Sequence, residues 1–186
     1  MHLVREVRNR LGLTQEELAT RAGTSRTRLS AYEHSRTDPG LHILERIAAA
    51  AGLEIAVVPV GTRRMREQTQ AIAVALRSGD EPYGLRLVAE MVGEIRTGLI
   101  DASGLEADPG STGDQQWDAL IGGVVEMLSH QRERAVPAWA SAPSRFLDDM
   151  WFVTRLRSVR AAVFADTPPA LATRGVFLSA SSLESV

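Results

Sequence analysis

Over the first fifty residues apolar side chains recur every three or four positions, and glycine interrupts them at regular places. Leu3, Val7 and Leu11 fall on one face of a helix that Gly12 ends. Thr14 stands three residues before Glu17, the spacing of a capping box, and opens a second helix through Leu18, Ala19 and Ala22 to Gly23. Ser25 is placed to cap a third helix that buries Leu29 and Tyr32, and Pro39-Gly40 ends the segment after it. Leu41, Leu44, Ile47, Ala48 and Ala51 stitch a fourth helix closed by Gly52. Residues 53–60 are rich in β-branched side chains and predict a strand. Pro59 has no N–H for a ladder, which confines that strand to an edge or an end.

Beyond residue 60 the pattern predicts helices over 65–78 and 83–97. The second repeats Leu85, Val88, Val92, Ile95 and Leu99 at three- and four-residue steps, but two heptads fall short of a coiled coil, so ordinary helix packing is expected. Turn residues crowd into 101–113, which reads as a surface loop or hinge. Trp117, Leu120, Ile121, Val124 and Leu128 form a further amphipathic helix, in which Gly122-Gly123 marks either close backbone approach or a weak point. All four Phe and two of the three Trp lie after residue 136, among proline-broken segments, and predict a compact lobe with a core made mostly of rings. The fold class is therefore mainly α. An N-terminal domain of four or five helices ends in a short β-strand (1–61), and a helical C-terminal region with a small β element follows (62–186).

The 186 residues are 44% apolar and 24% charged, enough to fill a core. With no cysteine, disulfides, thiolate zinc sites and thiol nucleophiles are excluded. No run approaches the roughly 18 apolar residues of a spanning helix, and no basic leader or signal core precedes the first helix, so a soluble cytoplasmic protein without membrane contacts is expected. Every one of the 21 basic residues is arginine, which reflects a GC-rich coding sequence rather than a chemical need. The net charge of -2 hides an asymmetry: +3 over 1–64, -6 over 65–136 and +1 over 137–186.

Enzymatic chemistry finds little support. His2, His34, His42 and His130 are scattered, and His42 with Glu45 and His130 with Glu133 are isolated pairs rather than halves of a metal site. There is no phosphate loop, no Gly-x-Gly-x-x-Gly and no Gly-x-Ser-x-Gly elbow. No catalytic residue, metal or cofactor is expected.

Two short helices joined at Gly23, with the small Ala19 where they cross, have the geometry of a helix-turn-helix. The run Leu13-Thr-Gln-Glu-Glu-Leu-Ala19, then Ala22-Gly-Thr-Ser25, Leu29-Ser30, Tyr32-Glu33 and Leu44-Glu-Arg-Ile-Ala48, resembles the Xre-type family of phage-repressor-like DNA-binding proteins over residues 3 to 52. The resemblance implies that Gln15 holds the DNA backbone and that the third helix enters the major groove, its N-terminal end reading Ser25-Arg26-Thr27-Arg28. Arg26 is then first choice for guanine, with Thr27 beside it, and Ala31 is placed for a thymine methyl. Arg28, Ser30, His34, Ser35 and Arg36 suit phosphates. The alternative for these arginines is a merely solvated face.

A lone strand needs a partner. In Xre-type antitoxins such a strand pairs with its copy in a second protomer, which implies a homodimer through Leu53, Ile55, Val57 and Val58 on a palindromic operator; the alternative is an intramolecular sheet with Val176-Phe-Leu178. The C-terminal region resembles that of actinobacterial Xre-type proteins encoded beside nucleotidyltransferase-like toxins. That resemblance implies an autorepressing antitoxin whose protein partner is the toxin. A one-component regulator sensing a small molecule through residues 65–186 is the alternative.

Overall fold

Four helices, α1 (Leu3–Arg10), α2 (Gln15–Arg21), α3 (Arg26–Glu33) and α4 (Leu41–Ala50), make up the first of two units into which the chain divides, one ending at Val57 and the other beginning at Val58. The structure, a computed structural model, describes residues 3–184. Thr14 and Glu17 form the capping box reciprocally: the Glu17 N–H donates to Thr14 Oγ1 (3.2 Å) and the Thr14 N–H to Glu17 Oε2 (2.7 Å). The Thr14 N–H, and then the Thr14 hydroxyl that donates to the same Oε2 (2.8 Å), hold the Glu17 carboxyl below its ordinary pKa. Ser25 caps α3 through the Arg28 N–H (3.2 Å). Val4, Leu18, Ala19, Leu29, Tyr32 and Ile47 close the core, with Ala19 almost wholly covered where α2 meets α3. On α1 the buried position is Val4, whereas Leu3 and Leu11 are exposed and Val7 is half-buried. The inward stripe is rotated from the expected one because Arg8 also turns inward, to an acidic partner described below.

The strand expected over 53–60 is not formed within the chain. Residues 53–59 run without ladder hydrogen bonds, Pro59 precedes the next helix, and Val60 is its first residue. The intramolecular alternative is not formed either: Val176–Phe177 pairs with another strand, and no ladder joins it to 53–60. The segment is exposed and joins no sheet among the described residues, held at its start by the Leu53 N–H on the Ala48 carbonyl (2.9 Å).

In the second unit α5 (Val60–Arg77) and α6 (Glu81–Thr97) pack on one another across the turn at 78–80. α7 (Ala102–Glu106) rests on α5, and α8 (Gln115–Gln131) completes the helical core. Short 3₁₀ turns lead to β1 (Trp151–Phe152), then α9 (Arg160–Asp166), α10 (Pro169–Ala172) and β2 (Val176–Phe177), which pairs in parallel with β1. Met65, Ile72, Val88, Met91, Ile95, Leu120, Val124, Leu171 and Val176 share one core. Within 101–113, expected as a surface loop or hinge, 102–106 form α7 and the rest is irregular and largely exposed, but anchored at several points. Leu105 is buried, its carbonyl accepts the Trp139 indole N–H (2.7 Å), and the buried Thr112 donates through both its N–H and its hydroxyl to Asp118.

The two glycines of α8 permit close approach. A Cβ on Gly123 would lie 2.5 Å from a Leu171 methyl and 3.1 Å from the Ala170 carbonyl oxygen. Against this face lie two arginines. Arg174 is fully buried, paired with Glu126, bonded to the Arg145 carbonyl (3.1 Å) and stacked 4.3 Å from the Phe146 ring centre. Arg145 donates to the Gly110 carbonyl (2.8 Å) and pairs with Asp118 (3.5 Å). Buried guanidiniums persist only when paired and bonded in this way. Among the described residues no helix is long and apolar enough to cross a membrane, and no group of three or more His, Asp or Glu is placed to hold a metal ion.

Candidate nucleic-acid interface

The turn between α2 and α3 is set by Gly23, whose φ of +60° is costly for any residue with a Cβ. Its carbonyl accepts a hydrogen bond from Arg46 Nη2 of α4 (2.5 Å), and a Cβ at this position would meet that same guanidinium. The turn thus fixes the angle at which α3 leaves α2.

Three consecutive side chains in the first turn of α3, Arg26, Thr27 and Arg28, are exposed. Arg36 is exposed just beyond the helix. Among the described residues none of these three arginines has a carboxylate within ion-pair distance, so their donors face solvent. Ser25 is exposed but its hydroxyl is occupied as the helix cap. Ser30 and Ala31 are half-buried along the same helix.

His34 is exposed with both ring nitrogens engaged, Nδ1 with the Ser30 carbonyl (2.8 Å) and Nε2 with Arg5 (3.2 Å). This pattern suits the tautomer carrying its proton on Nδ1. Gln15 is half-buried in the first position of α2, and its amide donates to Glu33 Oε2 (2.8 Å).

Glu33 is the feature that sequence reasoning passed over. Only 3% exposed, it receives Arg8 through two bonds, Nε at 2.5 Å and Nη2 at 3.1 Å, besides the Gln15 amide, and Arg5 stands 4.0 Å away. Burial alone would raise its carboxyl, but the hydrogen bonds from Arg8 and Gln15 and the charges of Arg8 and Arg5 outweigh it and hold the group below its ordinary pKa. The Arg8 guanidinium is raised in turn, chiefly by its bond to Glu33. No short window of sequence carried the signal, because the burial of Glu33 and its pairing with Arg8 are both tertiary. Gln15, expected to hold DNA through its amide, thus also has an internal partner that orients it.

Helices crossing at a small residue, a left-handed glycine turn and an arginine-bearing second helix with its face free define a helix-turn-helix unit. The helix-turn-helix family matches residues 4–58. An uncharacterized HTH-type transcriptional regulator of Methanothermobacter thermautotrophicus is 52% identical over 52 residues, covering 28% of this chain and 75% of that one. The chain belongs to this family of helix-turn-helix transcriptional regulators, whose work is DNA-binding control of transcription. The immunity repressor protein of Bacillus phage phi105 is 27% identical over 127 residues, covering 68% of this chain and 80% of the repressor. That match is longer than the first unit and therefore reaches into the second. No solved structure gives a significant match.

Proposed function

We propose that the chain is a sequence-specific transcriptional repressor that binds a palindromic double-stranded operator as a homodimer. The observation that carries this reading is the row Arg26, Thr27 and Arg28, exposed and without acidic partners at the leading end of α3. Arg26 presents a planar donor fork to the two major-groove acceptors of guanine, with Thr27 beside it and Ala31 toward a thymine methyl. Gln15, Arg28, Ser30, His34, Ser35 and Arg36 contact phosphates and set the register, while Ser25 caps the helix end that faces the bases. The name of the phage relative, an immunity repressor, favours repression over activation. A titration of the full chain against its own upstream sequence at fixed salt tests the reading: a palindrome bound no more tightly than random duplex overturns it.

Dimerisation runs through Leu53, Ile55, Val57 and Val58. All four are exposed, Val57 completely, and a groove of about 260 Å³ beside them is lined by Leu3, Val7, Leu44 and Ile47. Such an apolar strip, with backbone groups unpaired, is suited to a second copy of the same strip, and a dimer doubles the half-sites read.

The division of labour assigns DNA to residues 1–61 and a protein partner to 62–186. The second unit has its own core and a segment of -6 net charge, neither of which DNA binding requires. A toxin with a basic face, nucleotidyltransferase-like by the resemblance, fits that charge and makes the chain an antitoxin that represses its own transcription in the cytoplasm. The neighbouring gene should arrest growth alone and be rescued by co-expression of the full chain. A second reading, a sensor acting through residues 65–186, is favoured by one observation, an indole-walled cavity in the second unit.

A further inference from the structure

The second unit contains a cavity of about 480 Å³ with Trp117, Trp151, Leu85 and Val153 on its walls and the Glu81–Arg155 pair among its lining residues. The volume lies within the range of small-molecule sites. Trp117 is almost wholly covered, its ring lying against α6 at Gly84, where a Cβ would come within 3.1 Å of it. Trp151, in β1, is half-buried and packs 5.8 Å from Trp117 between ring centres at 53°. Both rings are therefore fixed by secondary structure and not by a loop.

The polar inventory of this cavity is lopsided. Among the described residues neither the Trp117 nor the Trp151 indole N–H has a hydrogen-bond acceptor and neither is a buried orphan, so both meet solvent, whereas the third indole, Trp139, donates to the Leu105 carbonyl. Arg155 adds a fork of donors. Its one ionic partner among the described residues, Glu81 at 2.8 Å, holds it weakly, because the two side chains are 82% and 48% exposed. Against these donors stands Glu81 alone as a side-chain acceptor, already in use. Two indole rings on the walls beside an easily released guanidinium suit a ligand with a flat apolar body and an anionic group of acceptor oxygens.

We propose that this cavity binds small aromatic carboxylates, the ring lying against Trp151 and Trp117 and the carboxylate drawing Arg155 from Glu81. The proposal concerns the second unit alone, so its failure leaves the DNA-binding reading intact.

The test is isothermal titration of the full chain with benzoate, phenylacetate and 1-naphthoate, with benzylamine and benzamide as comparators. Expected are dissociation constants on the order of 10–100 μM for at least one carboxylate, with about tenfold weaker binding of both comparators. The exposed Arg155 tolerates replacement, so Arg155→Gln should fold normally and abolish the preference for carboxylate over amide. Trp151→Leu should weaken every ligand about tenfold. The absence of binding by all three carboxylates at millimolar concentration overturns the proposal. So does benzylamine binding as tightly as they do, or an Arg155→Gln variant with the wild-type preference.

Discussion

Arg8 and Glu33 meet through two parallel bonds between α1 and α3, and the same carboxylate orients Gln15 at the start of α2. One buried charge therefore ties three of the four helices of the first unit together beside the face assigned to DNA. Because Glu33 is held below its ordinary pKa near 4.5, its contribution to stability is fully present above that pH and is lost as the pH falls through the lowered value. An acid titration followed by far-UV circular dichroism should show the first unit of the wild type surviving below pH 4.5. Glu33→Gln, which strands Arg8, should cost on the order of 3 kcal/mol at neutral pH and flatten that acid dependence. An unchanged profile in the variant would remove the cluster from the account of stability.

Arg26→Ala should weaken operator binding by about 1–3 kcal/mol and relax preference at one base pair. Arg36→Ala should weaken all sequences about equally and lower the salt slope by about one. Titrations at two salt concentrations separate these outcomes. If Arg26→Ala retained both affinity and sequence preference, α3 would not dock as assigned.

Val57→Asp places a charge in the exposed apolar strip and should shift sedimentation toward monomer while lowering operator affinity. A wild-type chain that is monomeric at tens of micromolar, on the order of ordinary assay concentrations, yet binds a palindrome tightly would contradict the dimer.

Gly123→Ala introduces a methyl into the contact with Leu171 and Ala170 and should destabilise the second unit by about 1–3 kcal/mol. All three tryptophans lie in that unit, so urea unfolding followed by indole emission reads the effect directly. An equal midpoint in the two proteins would mean that α10 moves aside without cost.

The first unit was legible because its signals are local. Thr14 with Glu17, Ser25 and Gly23 each announce a helix boundary within four residues, and all are found in those roles. Glu33 was not legible, because its meaning depends on Arg8, twenty-five residues away, and on burial that no short window reveals. The strand at 53–60 is not formed within the chain for a related reason. Val57 and Val58 favour a pleated surface, but a strand exists only where a partner receives it, and within the chain none pairs with this segment. Residues 101–113 look like a loop by composition, yet Thr112 is held by Asp118 and Leu105 by burial beside Trp139, contacts across chain distances that turn statistics do not weigh. Gly122-Gly123 admitted two interpretations, and only the positions of Leu171 and Arg174 decide for close approach.

The burial of Arg174 against α8 also bears on how the protein is made. The first unit has all its core residues in hand once its fourth helix has left the ribosome, and its contacts span short chain distances. The second unit has no such head start. Glu126 must wait for Arg174, β1 for β2, and the core itself for Leu171, Val176 and Leu183, all made well after α8. During that interval α5, α6 and α8 carry uncovered apolar faces while the first unit is already folded. The nascent chain therefore passes through a stage in which its first unit is complete and the larger second unit is exposed to chaperones, proteases and neighbouring polypeptides.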